Sequence, residues 1–209
     1  MKTIFLTLLL LLPTVTFAAA PRSPNCIPSQ DEAIRGVDLA EVRRVWLTWI
    51  NAERKKVGLK PYVQNPQLNR TAALWSKTSR NRGVMSHKRD GQTTYYDYPL
   101  ITKWFSALGL TFRNVKRMTY SESIGYGPFS CSGNDCTQEL INSLRSTFDF
   151  YLKEKGSVSR PHYNAIVNPE FRLIGTGFAI DPDSKRYYVT THYATAITSR
   201  PTAVCAARS

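Results

Sequence analysis

The chain has 209 residues, with 28 Lys and Arg against 15 Asp and Glu, giving a formal net charge of +13. That length suits one well-packed domain once any leader is removed, and the charge favours anionic partners such as cell-wall polymers, lipid head groups or polysaccharides. The basic residues (Arg43, Arg44, Arg54, Lys55, Lys56, Arg80, Arg82, Lys88, Arg89) are scattered along the chain and read as a solvated surface. No nucleic-acid-binding motif accompanies them, so a specific nucleic-acid partner is not expected.

Residues 1–20, MKTIFLTLLLLLPTVTFAAA, run from a lysine through an apolar stretch to small residues at Ala18, Ala19 and Ala20. That is the order of a secretory signal peptide, and the apolar stretch is short for a transmembrane span. The mature chain is expected to start near Pro21 and to be secreted, into the extracellular space or a periplasm. Loss of Lys2 with the leader would lower the net charge by one. Residues 21–36, rich in Pro and polar groups, read as an extended lead-in.

A first helix starts at Asp38, which can cap it while Glu41 reaches back in a capping box. Leu39, Val42, Trp46, Trp49, Ile50 and Glu53 follow helical spacing, and Gly58 and Pro61 end the run. A second helix follows Asn65-Pro66 with Leu68, Ala72, Trp75 and Ser79 inward, and stops at Gly83. Within it, Asn69-Arg70-Thr71 matches the glycosylation sequon. Residues 98–109 suggest a shorter third helix. A fourth begins at Thr137, carries Leu140, Ile141, Leu144, Phe148, Tyr151 and Leu152 on one face, and ends at Gly156. Strand signals are concentrated in 118–127, 171–180 and 186–195, the last two joined by the turn sequence DPDSK as an antiparallel hairpin. The pattern predicts an α+β domain with helices packed on an antiparallel sheet.

The four cysteines, Cys26, Cys131, Cys136 and Cys205, suit two disulfides in an oxidising compartment. Cys131 and Cys136 bracket the turn-forming SGND, so a local clip is the simplest pairing, leaving Cys26 for Cys205. A zinc site made of all four lacks paired C-x₂-C spacing.

Three polar residues stand at element ends with little local reason to be there: His87 after the second helix, Glu122 in YSESIGYG, and His162 in a loop entering the hairpin. Two imidazoles and a carboxylate suit a divalent ion with an open position for water, and equally suit metal-free acid–base work. Their spacing is not a metal-ligand spacing. His192, alternating within the last strand, reads as a residue packed or hydrogen-bonded on the sheet. No G-x-S-x-G elbow, P-loop or dinucleotide fingerprint is present.

Four stretches in order, 46–76, 84–91 (VMSHKRDG), 121–127 (SESIGYG) and 162–194, resemble the CAP superfamily: cysteine-rich secretory proteins, antigen 5 and pathogenesis-related 1 proteins. The likeness is nearest to the bacterial members. It implies an α-β-α sandwich over residues 37–200, with 201–209 as a tail, and a cleft lined by two histidines and two acids. Matched onto this chain, those are His87, His162, Glu122 and, as the second acid, Glu154, with Asp149 as its competitor. The resemblance further implies a divalent cation, zinc or magnesium; the protein is expected to be a monomer. The basic surface favours an anionic ligand, a cell-envelope, lipid or glycan molecule. A metal-dependent hydrolase, with Glu122 or Glu154 as base, and a purely structural domain are the alternatives. Ser121 and Ser123 replace the family's usual Gly and Asn, which predicts an altered backbone around Glu122.

Overall fold

A computed structural model of the chain describes residues 31, 33–113 and 118–199, together with the backbone of 26–27 and 203–204. The leader, most of the extended lead-in and Cys205 lie outside these residues, and so does the expected Cys26–Cys205 bridge. The elements in chain order are β1 (Cys26–Ile27), α1 (Leu39–Lys56), β2 (Val63–Gln64), α2 (Pro66–Arg82), α3 (Tyr98–Ala107), β3 (Tyr120–Pro128), α4 (Thr137–Lys153), α5 (Pro161–Ile166), β4 (Leu173–Asp181), β5 (Arg186–Ala194) and β6 (Ala203–Val204).

The helix signals translate directly into caps. Asp38 accepts hydrogen bonds from the Ala40 and Glu41 amides, Asn65 accepts from the Leu68 amide, and Gly83 ends α2 in the left-handed region at φ 63°. The capping box at Glu41 does not form. Its carboxylate pairs with Arg44 one turn on, and the Asp38 amide donates instead to Thr137 Oγ1 at 2.9 Å. The local disulfide joins Cys131 and Cys136 across a Cα–Cα distance of 5.7 Å.

The main sheet has the order β2-β4-β5-β3, antiparallel through β4, β5 and β3, with β2 added in parallel beside β4. The parallel edge strand is a departure from the all-antiparallel expectation, too short at two residues to carry a periodicity signal. A separate two-stranded ladder pairs Cys26 with Ala203 and Ile27 with Val204, which brings the chain's two ends together.

Both faces of the sheet are covered, giving the expected α-β-α sandwich. On one face α1 and α4 pack through Trp46, Ile50, Leu140, Leu144, Phe148 and Tyr151 onto Phe178, Val189 and Tyr193. On the other, α2 and α3 pack through Leu68, Ile101 and Phe105 onto Tyr120 and Ala194. The contact between α2 and β4 is made possible by two glycines. A Cβ on Gly175 would stand 2.2 Å from the Leu68 carbonyl carbon, and one on Gly177 would stand 2.0 Å from the Ala73 nitrogen. Their absence of side chains lets the α2 backbone lie directly on the sheet.

Two further sequence expectations need correction. His162 lies in a short helix, α5, entered through Pro161, and not in a loop; the proline supplies the first-turn geometry. Several of the scattered basic residues are not surface groups: Arg43, Arg54 and Arg89 are buried. Arg54 donates to the carbonyls of Lys60, Ile166, Asn168 and Phe171 and lies 3.7 Å over the Tyr62 ring. It pins the end of α5 and the segment after it to α1, satisfying carbonyls that no helix or strand would otherwise satisfy.

Candidate functional site

A cavity of about 820 Å³ opens along β3, one of the two edge strands of the sheet. His87, Tyr95 and Tyr96 line it from the segment after α2, Ser121 and Glu122 from β3, and His162, Asn164, Asn168 and Phe171 from α5 and its exit. The cavity thus brings His87, Glu122 and His162 to one place, although tens of residues separate them in the chain.

His87 is carried there by the turn at Gly83, which folds the chain back so that Trp75 Nε1 can donate to the Ser86 carbonyl at 3.1 Å. Its Nδ1 lies 2.7 Å from Glu122 Oε1, and both Tyr95 and Tyr96 meet its ring edge-on at 5.2 Å. Glu122 occupies a regular strand position opposite His192, so the serines on either side of it do not distort the backbone there. Its carboxylate is fully engaged. Arg89 forks onto both oxygens at 2.8 and 2.6 Å, and His192 Nε2 donates to Oε2 at 2.8 Å. Arg89 itself is sandwiched, 3.6 Å from the Trp75 ring centroid and 4.4 Å from that of Trp104, and donates to the His87 carbonyl.

Electrostatics fix the protons in this cluster. Burial alone would raise the Glu122 carboxyl, but the charge and hydrogen bonds of Arg89, with those of His192 and His87, outweigh it and hold the group well below the usual carboxylate range. An ionised carboxylate only accepts hydrogen bonds, so His87 must donate from Nδ1. That leaves Nε2 as the ring nitrogen with a free lone pair when the ring is neutral. His192 is arranged the opposite way: Nε2 donates to Glu122, and Nδ1, 2.9 Å from Thr71 Oγ1, accepts. Burial pushes the His192 imidazole down, against the pull of Glu122, and keeps it neutral.

The second histidine is held by a shorter-range device. His162 Nδ1 lies 2.6 Å from Glu154 Oε1, while Glu154 Oε2 accepts the backbone amides of His162 and Tyr163 at 2.9 and 3.2 Å. The ring stacks on Tyr151 with centroids 4.4 Å apart and planes 4° from parallel. Of the two acids considered for this position, Glu154 meets His162, whereas Asp149 pairs with Arg145 on the surface of α4.

The carboxylates therefore orient the histidines. Among the described residues no group of three or more His, Cys, Asp and Glu side chains is arranged to hold a metal ion. The hydrogen bonds explain why: both acids spend their oxygens on the protein. His87, Glu122, His162 and Glu154 do not form one ligand shell. What the site offers a cation is two imidazole Nε2 atoms, each backed by a carboxylate, the arrangement that fixes ring orientation in histidine metal sites.

Arg89 and His192 are members of this cluster that sequence reasoning left out. His192 is packed and hydrogen-bonded on the sheet, as its alternation suggests; its partner is the candidate acid itself. The position of Arg89 two residues after His87 is the one signal the sequence offers for it. The sequon at Asn69 is structural: Asn69 Oδ1 accepts from the Thr176 amide and Thr71 is buried against His192.

The family model for CAP, the cysteine-rich secretory protein family, matches residues 47–193. This chain belongs to the CAP family. Among solved structures, the fold is similar to an outer surface protein of Borrelia burgdorferi, at 16% identity and a TM-score of 0.53, covering 76% of this chain and 96% of that one. The CAP domain of enterococcal PrgA matches at 18% identity and 0.52, covering 80% of this chain and 68% of that one. An extracellular SCP-domain protein of Bacillus anthracis matches at 14% and 0.51 over 74% of this chain but only 40% of its own length. No match was found among curated proteins. Among the described residues of this CAP protein, no helix is long and apolar enough to cross a membrane.

Proposed function

We propose that this CAP protein is a secreted binding module whose cavity holds a divalent cation, zinc by preference, between His87 Nε2 and His162 Nε2. Beside the cation the cavity takes an amphipathic ligand, a lipid or a cell-envelope molecule. The observation that carries the reading is the pair of histidines, each held at Nδ1 by a carboxylate and both lining one cavity of about 820 Å³. Imidazole nitrogens suit zinc better than magnesium, which prefers oxygen ligands. Tyr95, Tyr96, Met118, Val167 and Phe171 supply apolar wall, and Asn164 and Ser121 supply polar groups, the mixture expected of a ligand pocket.

A hydrolase using Glu122 or Glu154 as general base is less well supported, because each acid is committed to orienting a histidine and to other donors. Zinc titration by calorimetry on the disulfide-intact protein tests the proposal. One equivalent should bind, and His87→Ala and His162→Ala should each abolish it. Failure of folded protein to bind, or binding indifferent to both substitutions, would refute the metal site.

A further inference from the structure

A second cavity of about 330 Å³ adjoins the first, and His162 lines both. Met85, Ile124, Tyr126, Thr147, Phe150 and Tyr151 line it, between β3 and α4. The exposed large apolar side chains of the described residues are eight: Val57, Val63, Val84, Tyr95, Met118, Tyr126, Phe150 and Val158. Tyr95 and Met118 are at the first cavity, and Tyr126 and Phe150 at the second. Val84 is the neighbour of Met85, and Val158 stands three residues before Pro161, which lines the first cavity. Only Val57 and Val63, around the end of α1, fall outside this collar. Scattered exposed apolar residues need no explanation, but four of the eight lining one pair of openings, with Val84 and Val158 close to lining residues in the chain, do.

The charge around the collar is predominantly positive. Segment 153–160, which carries Val158 fully exposed, presents Lys153, Lys155 and Arg160 to solvent, while its one acid, Glu154, is turned inward onto His162. Arg186 lies 5.4 Å over the Tyr126 ring, and exposed Lys88 directly follows His87. Asp149 and Asp90 are paired with Arg145 and Arg82, leaving Glu170, on the far wall of the first cavity, as the exposed acid there.

We infer that this collar is a membrane-docking surface: its apolar side chains enter the interface of an anionic phospholipid bilayer, its lysines and arginines meet the head groups, and both cavities open toward the lipid. Aromatic and aliphatic side chains ringed by basic ones are the chemistry of interfacial binding, where apolar burial and attraction to anionic lipid add. The inference extends the ligand-binding reading by naming the surface and the partner, and it rests on that reading only in taking the cavities as the functional face.

The test is flotation of the disulfide-intact protein with vesicles. Binding to mixed phosphatidylglycerol–phosphatidylcholine vesicles should be at least tenfold tighter than to pure phosphatidylcholine. Phe150→Asp and Val158→Asp should each weaken it at least fivefold, and Val57→Asp, a change at an exposed position outside the collar, should not. Replacing Lys153, Lys155 and Arg160 by Gln should erase the lipid preference. Val158 is wholly exposed, so its variant cannot fail by misfolding. No vesicle binding, or equal loss in Val57→Asp, would overturn the inference. So would concentration-dependent self-association that the collar variants abolish without any vesicle binding, since a second copy would then be the occupant. His162→Ala separates this from the proposed function: it should lose zinc and keep the vesicles.

Discussion

The two histidine–carboxylate pairs present the same chemistry by different physical means. His87–Glu122 spans 35 residues, is buried, and is held by an arginine clamped between two tryptophans. His162–Glu154 spans eight residues and is partly exposed; among the described residues no lysine or arginine pairs with Glu154, whose second oxygen is held by backbone amides. A buried carboxylate needs a compensating charge, whereas one near solvent is kept by hydrogen bonds alone. The first pair is thus tied to the stability of the whole fold, and the second mainly to the shape of one turn.

Removing Arg89 should break the contrast most severely. Arg89→Ala leaves Glu122 charged and buried without its partner, at a cost of about 3–5 kcal/mol. Thermal melting should show a fall on the order of 10 °C for a domain of this size. Arg54→Ala tests the framework around the second pair: four carbonyls lose their donor, for about 2–3 kcal/mol in denaturant titration. Zinc binding should weaken as the segment after α5 loosens.

Glu154→Ala should cost only about 1 kcal/mol of stability, read by the same titration, because the lost bonds lie near solvent. Its zinc affinity should nevertheless fall roughly 10–100-fold, the usual effect of losing a histidine's orienting carboxylate. A loss of stability as large as that for Arg89→Ala would erase the distinction drawn between the pairs.

Acid should act mainly through the first pair. Well above its ordinary value of 6.5, His192 is neutral in both folded and unfolded chains and contributes nothing to the pH dependence. Below it the unfolded chain takes up a proton that the buried ring does not, so stability falls as pH falls. Glu122, held below its ordinary 4.5, adds a further loss as pH drops through that range and on toward its folded value. Melting temperature should therefore decline from about pH 7.5 to about pH 5.5, and that part of the decline should shrink in His192→Gln.

The same contrast governs what could be read from the sequence. Helix starts at Asp38 and Asn65, the stop at Gly83, the hairpin and the Cys131–Cys136 clip all depend on neighbouring residues, and local chemistry shows them. The glycines of β4 could be seen but not explained, since their role depends on α2 lying against them. His87, Glu122 and His162 are recognisable as polar groups at element ends and through the family pattern. Arg89 is not, because a lone arginine looks like surface until Trp75, Trp104 and Glu122 are folded around it. Arg54 is hidden for the same reason, three of its acceptors lying more than a hundred residues away. The two-residue strands are too short to carry any periodicity.

The central claim is that carboxylates hold the proton of two cavity-lining histidines on Nδ1, leaving Nε2 bare, while the third carries its proton on Nε2. With only three histidines in the chain, long-range ¹H–¹⁵N correlation spectra of the ring nitrogens in mildly alkaline buffer test it directly. The account predicts Nδ1–H tautomers for His87 and His162 and the Nε2–H tautomer for His192. An Nε2–H signal from His87 or His162 would contradict it, since the nitrogen proposed to meet the ligand would already carry the proton.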